Sequence, residues 1–245
     1  MALQGYGTFG NLGRDYQKAR HAFPAAVFDL FAQHAHPPVH VLDLGCGTGI
    51  ASRQLAERGY HVVGTDIDPA MIAFAREERG SIEYHIAPSA ALPFADGTFD
   101  AATAFSAFHW FSDNASVTEI KRVLKPKGIF MAVNKNDVSG FKIGYRAVLA
   151  PFIEVALPNA KKDYAPAHIL TREGFTSVEK YAFRAEEFYT LDEALAYLRS
   201  VSLWNLVPDS KKVAANEAIV HYCEGEMRDS VLTRVIDVVA VLGHC

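Results

Sequence analysis

The chain has 245 residues, half of them hydrophobic and 21% charged, with a formal net charge of -4. That is the make-up of an ordinary globular protein: it contains no run of about 20 uninterrupted apolar residues, and its small basic groups give no global attraction to a phosphate backbone. Cys46, Cys223 and Cys245 are scattered without paired spacing, which argues against a disulfide framework or a structural zinc site.

One domain spanning 1–245 is expected, and residues 1–20 lack the basic-then-apolar order of a signal peptide, so the expected location is cytoplasmic. Residues 1–38 read as an N-terminal helical cap that ends in the linker "HAHPPVH". The prolines in that linker disfavour a metal cluster of His34, His36 and His40, and no metal site is expected.

Segment 39–44 is apolar except for His40 and Asp43 and too short for a helix, so it reads as a strand buried on both faces. After the turn at 45–49, Ala51 and Leu55 stand four apart and Gly59 supplies a stop, predicting a helix over 50–58. A second strand follows at 60–65. Asp68 and Pro69 then give an N-cap and a first-turn proline for a helix to about 78. A third strand at 81–86, a fourth within 96–111, a helix over 115–124, a "KPKG" turn and a strand at 129–133 continue the alternation. Strand and helix in turn imply a mostly parallel sheet with helices on both faces.

The rhythm breaks after 134. Residues 135–172 read as an insertion or lid, with a helix over 143–155 and the aromatic residues Phe141, Tyr145, Phe152 and Tyr164. The part from 173 to 245 reads as a strand at 174–188, helices at 191–201 and 216–227, and a closing strand at 230–242. Consecutive strands late in the chain suggest an antiparallel edge on the sheet.

The turn Gly45–Gly49 lies where an open parallel sheet receives its ligand. Its spacing is not the G-x-G-x-x-G of a dinucleotide site, since Ile50 stands at the third glycine position, and no Lys-Ser or Lys-Thr follows as in a phosphate-cradling loop. Asp43, just before the turn, would repel a pyrophosphate but attract an ammonium through the loop or an ordered water. Asp66, at the end of the second strand, is placed to accept hydrogen bonds from two ribose hydroxyls. A ligand with an amine and a ribose suits both.

The stretches "VLDLGCGTG", "GTDIDPAMIAFAR", "LPFADGTFDAATAFSAFHWF" and "EIKRVLKPKGIF", in that order and spacing, resemble the motifs of class I S-adenosylmethionine-dependent methyltransferases. They look most like the small-molecule branch that includes the trans-aconitate and quinone-ring methyltransferases. The match covers about residues 16–134. It implies a Rossmann-like α/β fold with a seven-stranded, mostly parallel sheet and an antiparallel edge strand, S-adenosyl-L-methionine as cofactor bound in a core at 39–134, and a small-molecule methyl acceptor in place of nucleic acid or membrane. An S-adenosylmethionine-binding protein without methyl transfer is the alternative, and a nicotinamide oxidoreductase is disfavoured by the glycine spacing.

Carried over residue by residue, the resemblance implies that Asp43 and the backbone of Gly45, Cys46 and Gly47 hold the methionine end. Asp66 would hold the ribose, Ile67 and Met71 would lie beside the adenine, and Phe105 near the transferring methyl. Where the family commonly has a Gly-Asp-Ala-Glu type sequence, this chain has Ala87-Pro88-Ser89-Ala90, so Ser89 or the backbone near Ala90 would meet the adenine amino group. Tyr16 and Arg20 resemble a "Y-x-x-x-R" segment that folds over the cofactor, and four apart they share a helix face. His109 is the candidate base for an acceptor that must lose a proton; the other reading is an aromatic corner with Phe108, Trp110 and Phe111.

Overall fold

The structure is a computed structural model, and it describes residues 20–78, 80–156 and 164–245. Tyr16 lies outside the described residues. Helix α1 (Ala25–His34) is followed by strand β1 (His40–Leu44), helix α2 (Ile50–Ala56), strand β2 (His61–Asp66), helix α3 (Pro69–Glu77) and strand β3 (Glu83–Ile86). Then come β4 (Phe99–Phe105), a short 3-10 turn (Phe108–Trp110), α4 (Asn114–Val123) and β5 (Leu124–Asp137). The remainder is α5 (Phe141–Leu149), α6 (Pro166–Arg172), β6 (Thr176–Tyr189), α7 (Leu191–Arg199), α8 (Lys212–Glu226) and β7 (Leu232–His244).

Local chemistry sets several of these boundaries. Asp68 caps α3 by accepting from the Ala70 amide at 2.9 Å, with Pro69 in the first helical position, and Asp113 caps α4 by accepting from the Ser116 amide at 3.0 Å. Thr190 and Glu193 close a reciprocal capping box at the start of α7. The helix expected over 143–155 begins at Phe141 and ends at Leu149, because Pro151 cannot donate the hydrogen bond that would continue it.

The seven strands are ordered β3-β2-β1-β4-β5-β7-β6. β1 is parallel to β2 and β4, β2 to β3, and β4 to β5. β7 runs against its neighbours. The Val138 amide donates to Val235 and the Cys245 amide to Gly128, partners that move in opposite directions along β5 and β7. The antiparallel character expected at one edge is therefore supplied by β7, which slots between β5 and the outermost β6.

The "KPKG" stretch is part of a long strand instead of a turn before a short one. Phe99 pairs with Leu124 and Ala101 with Ile129, so β5 spends three more residues than β4 over this interval and bulges out. Lys127 sits in the bulge at φ 66°, the left-handed conformation that the sequence signalled as a turn.

Two compact units divide the chain. One comprises, among the described residues, 22–78, 80–135, 164–183 and 238–245, and its core packs Leu42, Leu44, Phe99 and Phe130 from the sheet and Phe108 from the turn after β4 with Val117 and Ile120 of α4. The other comprises 20–21, 136–156 and 184–237, with its own core of Phe141, Tyr145 and Leu149 against Tyr197, Ile219 and Cys223. Among the described residues, no helix is long and apolar enough to cross a membrane.

Candidate active site

Parallel register brings the site together. Asp43 pairs with Gly64 of β2 on one side and Thr103 of β4 on the other, so the carboxyl ends Leu44, Asp66 and Phe105 finish along one edge of the sheet. The turn Gly45–Gly49 leaves β1 at this edge and leads into α2. Gly45, Gly47 and Gly49 have φ of 63°, 55° and 78°, a backbone that a side chain would strain.

Two of these glycines serve different ends. A Cβ on Gly45 would come within 2.6 Å of the Ala107 Cβ, so that position must be bare for the turn to pack on the chain after β4. A Cβ on Gly47 would meet nothing within 4 Å and would project into open space beside the turn. Thr48, almost wholly buried, has a hydroxyl without a hydrogen-bond partner among the described residues.

Asp43 is fully buried. Its two oxygens accept from the Ser52 hydroxyl at 2.6 Å and the Thr103 hydroxyl at 3.0 Å, which ties the end of β1 to the first turn of α2 and to β4. Burial pushes its pKa up from 3.8 to about 6 against those hydrogen bonds, with the charge of Asp66 adding to the rise. Asp66 accepts from the Gly47 amide at 2.8 Å through one oxygen and from the Asp68 amide at 2.9 Å through the other. Each oxygen keeps a second lone pair. Burial raises this carboxyl too, against its backbone hydrogen bonds.

Burial, with the charges of Asp43 and Asp66, drives the Cys46 thiol well above its ordinary value, so the group stays protonated and unreactive. Its amide donates to the Thr65 carbonyl at 3.0 Å, binding the turn to β2. Ile67 is 70% exposed just past Asp66, whereas Met71 is 2% exposed and faces inward on α3. The Ser89 hydroxyl is 3.1 Å from that of Ser116 in the first turn of α4, and Ala90 is exposed.

Phe105 is covered by aromatic residues that precede β1. Its ring meets Phe23 edge-on at 4.7 Å and stacks on Phe28 at 5.5 Å. The Gln54 side chain of α2 fastens this cover, accepting from the Phe23 amide and donating to the Phe23 carbonyl, both at 2.9 Å. Lys135 Nζ lies 4.6 Å from the Phe23 ring centroid.

His109 stands in the 3-10 turn after β4, half-buried, with its ring 5.0 Å from Trp110 and 5.9 Å from Tyr164. Tyr164 accepts a hydrogen bond from Asn134 of β5 at 3.2 Å, and burial pushes its phenol up to about 12. Phe108 and Phe111 do form an aromatic corner, with rings 5.8 Å apart. Arg20 belongs to the other unit, where its guanidinium lies 4.8 Å from the Tyr197 ring centroid.

Sequence reasoning did not single out Ser52, Gln54, Thr103 or Asn134. Thr103 could have been found by aligning β4 beside β1, which puts a hydroxyl opposite the buried carboxylate. Gln54 carries no local signal, since its partner is 31 residues earlier.

A family model described as a methyltransferase domain matches residues 42–132. A malonyl-[acyl-carrier protein] O-methyltransferase of Erwinia pyrifoliae is 30% identical over 177 residues, 69% of this chain and 67% of that protein. An uncharacterised methyltransferase-like protein of Schizosaccharomyces pombe is 26% identical over 219 residues, 84% of this chain and 81% of its own. Mycobacterial relatives, also uncharacterised methyltransferases, align at 31% identity over about half their length, 49%. Among solved structures, one from Anaeromyxobacter dehalogenans that bears a provisional type II methyltransferase name superposes with a TM-score of 0.69 at 24% identity, covering 92% of this chain and 97% of that one.

Proposed function

The chain belongs to the class I S-adenosylmethionine-dependent methyltransferases, and on that premise we propose that it methylates a small-molecule acceptor at the carboxyl edge of β1, β2 and β4. The residues present fit the cofactor. The space that a Cβ on Gly47 would enter, the spare lone pairs of Asp66 2.8 Å from the Gly47 amide, and the buried Thr48 hydroxyl all face one need: a polar ligand held against bare backbone.

In this reading the backbone of Gly45, Cys46 and Gly47 holds the methionine end and Asp66 accepts from the ribose hydroxyls. Asp43 acts one layer deeper, fixing the turn through Ser52 and Thr103 and contributing negative charge toward an ammonium. Ile67 supplies an exposed apolar face for the adenine, with Met71 backing the helix behind it and Ser89 and Ala90 bordering the same side.

When bound, S-adenosylmethionine supplies an electrophilic methyl on sulfur for in-line displacement. The chain's own work is alignment and exclusion of water, and the Phe23–Phe28–Phe105 cluster provides a dry wall for it. For a phenol, amine or carbon acid, His109 takes the proton, with Tyr164 and Asn134 shaping its surroundings; a carboxylate acceptor needs no base. Among relatives, a demethylmenaquinone methyltransferase supports a small organic acceptor, and a malonyl-[acyl-carrier protein] O-methyltransferase an organic acid group borne on a carrier protein.

The observation that carries the reading is the clasp between Asp66 and the Gly47 amide beside open space. Isothermal titration calorimetry with S-adenosylhomocysteine tests it: the parent chain binds at micromolar concentration and Asp66→Ala does not. A parent chain that gives no heat of binding removes the proposal. Transfer of labelled methyl to a panel of small acceptors then distinguishes an enzyme from a protein that only binds.

A further inference from the structure

The unit made of residues 20–21, 136–156 and 184–237 holds a buried polar cluster that the methyl-transfer site does not use. At its centre are Arg234 and Tyr197, each only 1% exposed. The Arg234 guanidinium carbon lies 4.7 Å from the Tyr197 ring centroid, and that of Arg20 lies 4.8 Å from the same centroid. Arg234 donates from Nη1 to Glu187 at 2.8 Å and from Nε to Asp137 at 3.3 Å, while Tyr189 donates to the same Glu187 oxygen at 2.7 Å. Asp137 is further occupied by the Ser139 hydroxyl at 2.7 Å and the Lys142 amide at 3.0 Å.

Arg234 and Tyr197 each have a donor left over. Arg234 Nη2 and the Tyr197 hydroxyl are buried and have no hydrogen-bond partner among the described residues. An unsatisfied buried donor is costly, the more so when charged, and here one sits on each of two side chains that pack guanidinium against ring. Arg20, Arg234 and Lys142 bring positive charge to the Tyr197 phenol, with Glu187 opposing them. Burial alone would raise the Tyr197 phenol, yet the charges of Lys142, Arg20 and Arg234 hold it below its ordinary value, which makes its hydroxyl a stronger donor toward an anion.

We propose that Arg234 Nη2 and the Tyr197 hydroxyl form the binding site for the carboxylate group of a small-molecule ligand. The chemistry matches: a carboxylate is acceptor-only, carries one negative charge, and presents two oxygens to two separate donors. Asp137 and Glu187 orient Arg234 from its other nitrogens, leaving Nη2 as the arm that meets the ligand. A doubly charged phosphate is disfavoured by the same two carboxylates, which lie on the arginine that would receive it.

The test is calorimetric titration of the full chain with citrate, succinate and benzoate, and separately with inorganic phosphate. At least one carboxylate is expected to bind saturably, with phosphate at least tenfold weaker. Tyr197→Phe and Arg234→Gln should each weaken that carboxylate about tenfold or more. Should Arg234→Gln fail to fold, Tyr197→Phe removes a single oxygen, and its circular dichroism and melting temperature establish that it is native before it is titrated. No saturable binding by any of the three acids overturns the proposal, as does undiminished binding by Tyr197→Phe or a preference for phosphate. Because S-adenosylhomocysteine is titrated into the same parent sample, failure of the methyl-transfer reading registers separately from failure of this one.

Discussion

Asp43 is held in a conflict between stability and binding. In the unfolded chain its carboxyl titrates near 3.8, whereas in the folded chain burial raises it to about 6. Between those values the folded state keeps a proton that the unfolded state has lost, so this group's contribution to stability declines as pH rises through that window. Above about pH 6 the ionised, buried form costs about 3 kcal/mol. Asp43→Asn should therefore gain stability relative to the parent between pH 4 and pH 7, by about 2 kcal/mol as read from urea unfolding. A constant difference across that range would show that the carboxyl does not titrate there. The ionised form is also the one an ammonium needs: S-adenosylhomocysteine affinity should rise with pH through about 6 in the parent and lose that step in Asp43→Asn.

The glycine turn offers a second residue-scale comparison. Gly45→Ala would drive a methyl to 2.6 Å from the Ala107 Cβ, and Gly47→Ala would place one in open space, although both carry backbone strain at φ 63° and 55°. Gly45→Ala should lower the melting temperature more than Gly47→Ala does. Gly47→Ala should lose more than tenfold in S-adenosylhomocysteine affinity while staying folded. Equal effects of the two on both measurements would mean that Gly47 does not face the ligand.

Between elements, the connection that matters most to the site is the grip of α2 on the segment before α1. Gln54 satisfies both backbone groups of Phe23 at 2.9 Å, and Phe23 in turn covers Phe105 at the end of β4. Gln54→Ala leaves those groups in a half-buried position and should cost about 1–3 kcal/mol, seen as a lower urea midpoint. The loosened Phe23 should also weaken S-adenosylhomocysteine binding, and unchanged affinity would remove the aromatic cover from the proposed site. Elements were legible in the sequence to different degrees. The cap at Asp68 acts within two residues and is legible in the sequence, while the β5 bulge depends on where β4 pairs and looked like a free turn.

At the scale of the molecule, ligand binding and folding are linked. S-adenosylhomocysteine at 100 times its dissociation constant should stabilise the chain by about 2.7 kcal/mol. For a chain of this size that is a rise of about 5 °C in melting temperature. Scanning calorimetry of the parent and of Asp66→Ala checks it, and a shift that survives in Asp66→Ala would place the ligand elsewhere.

Sequence by itself determined the alternation of strands and helices from the first strand at 39 to residue 134, the glycine turn, and the carboxylates at two strand ends. These are local facts: periodicity, capping and a bare backbone are written within a few neighbouring positions. Tertiary structure decided what those carboxylates touch. Only pairing β1 with β4 puts Thr103 on Asp43, and only the fold of residues 136–237 gathers Asp137, Glu187, Tyr197 and Arg234 from segments tens of residues apart. Nothing in the sequence near Arg234 announces a buried charge, because its burial is a property of the partners that surround it and not of its neighbours along the chain.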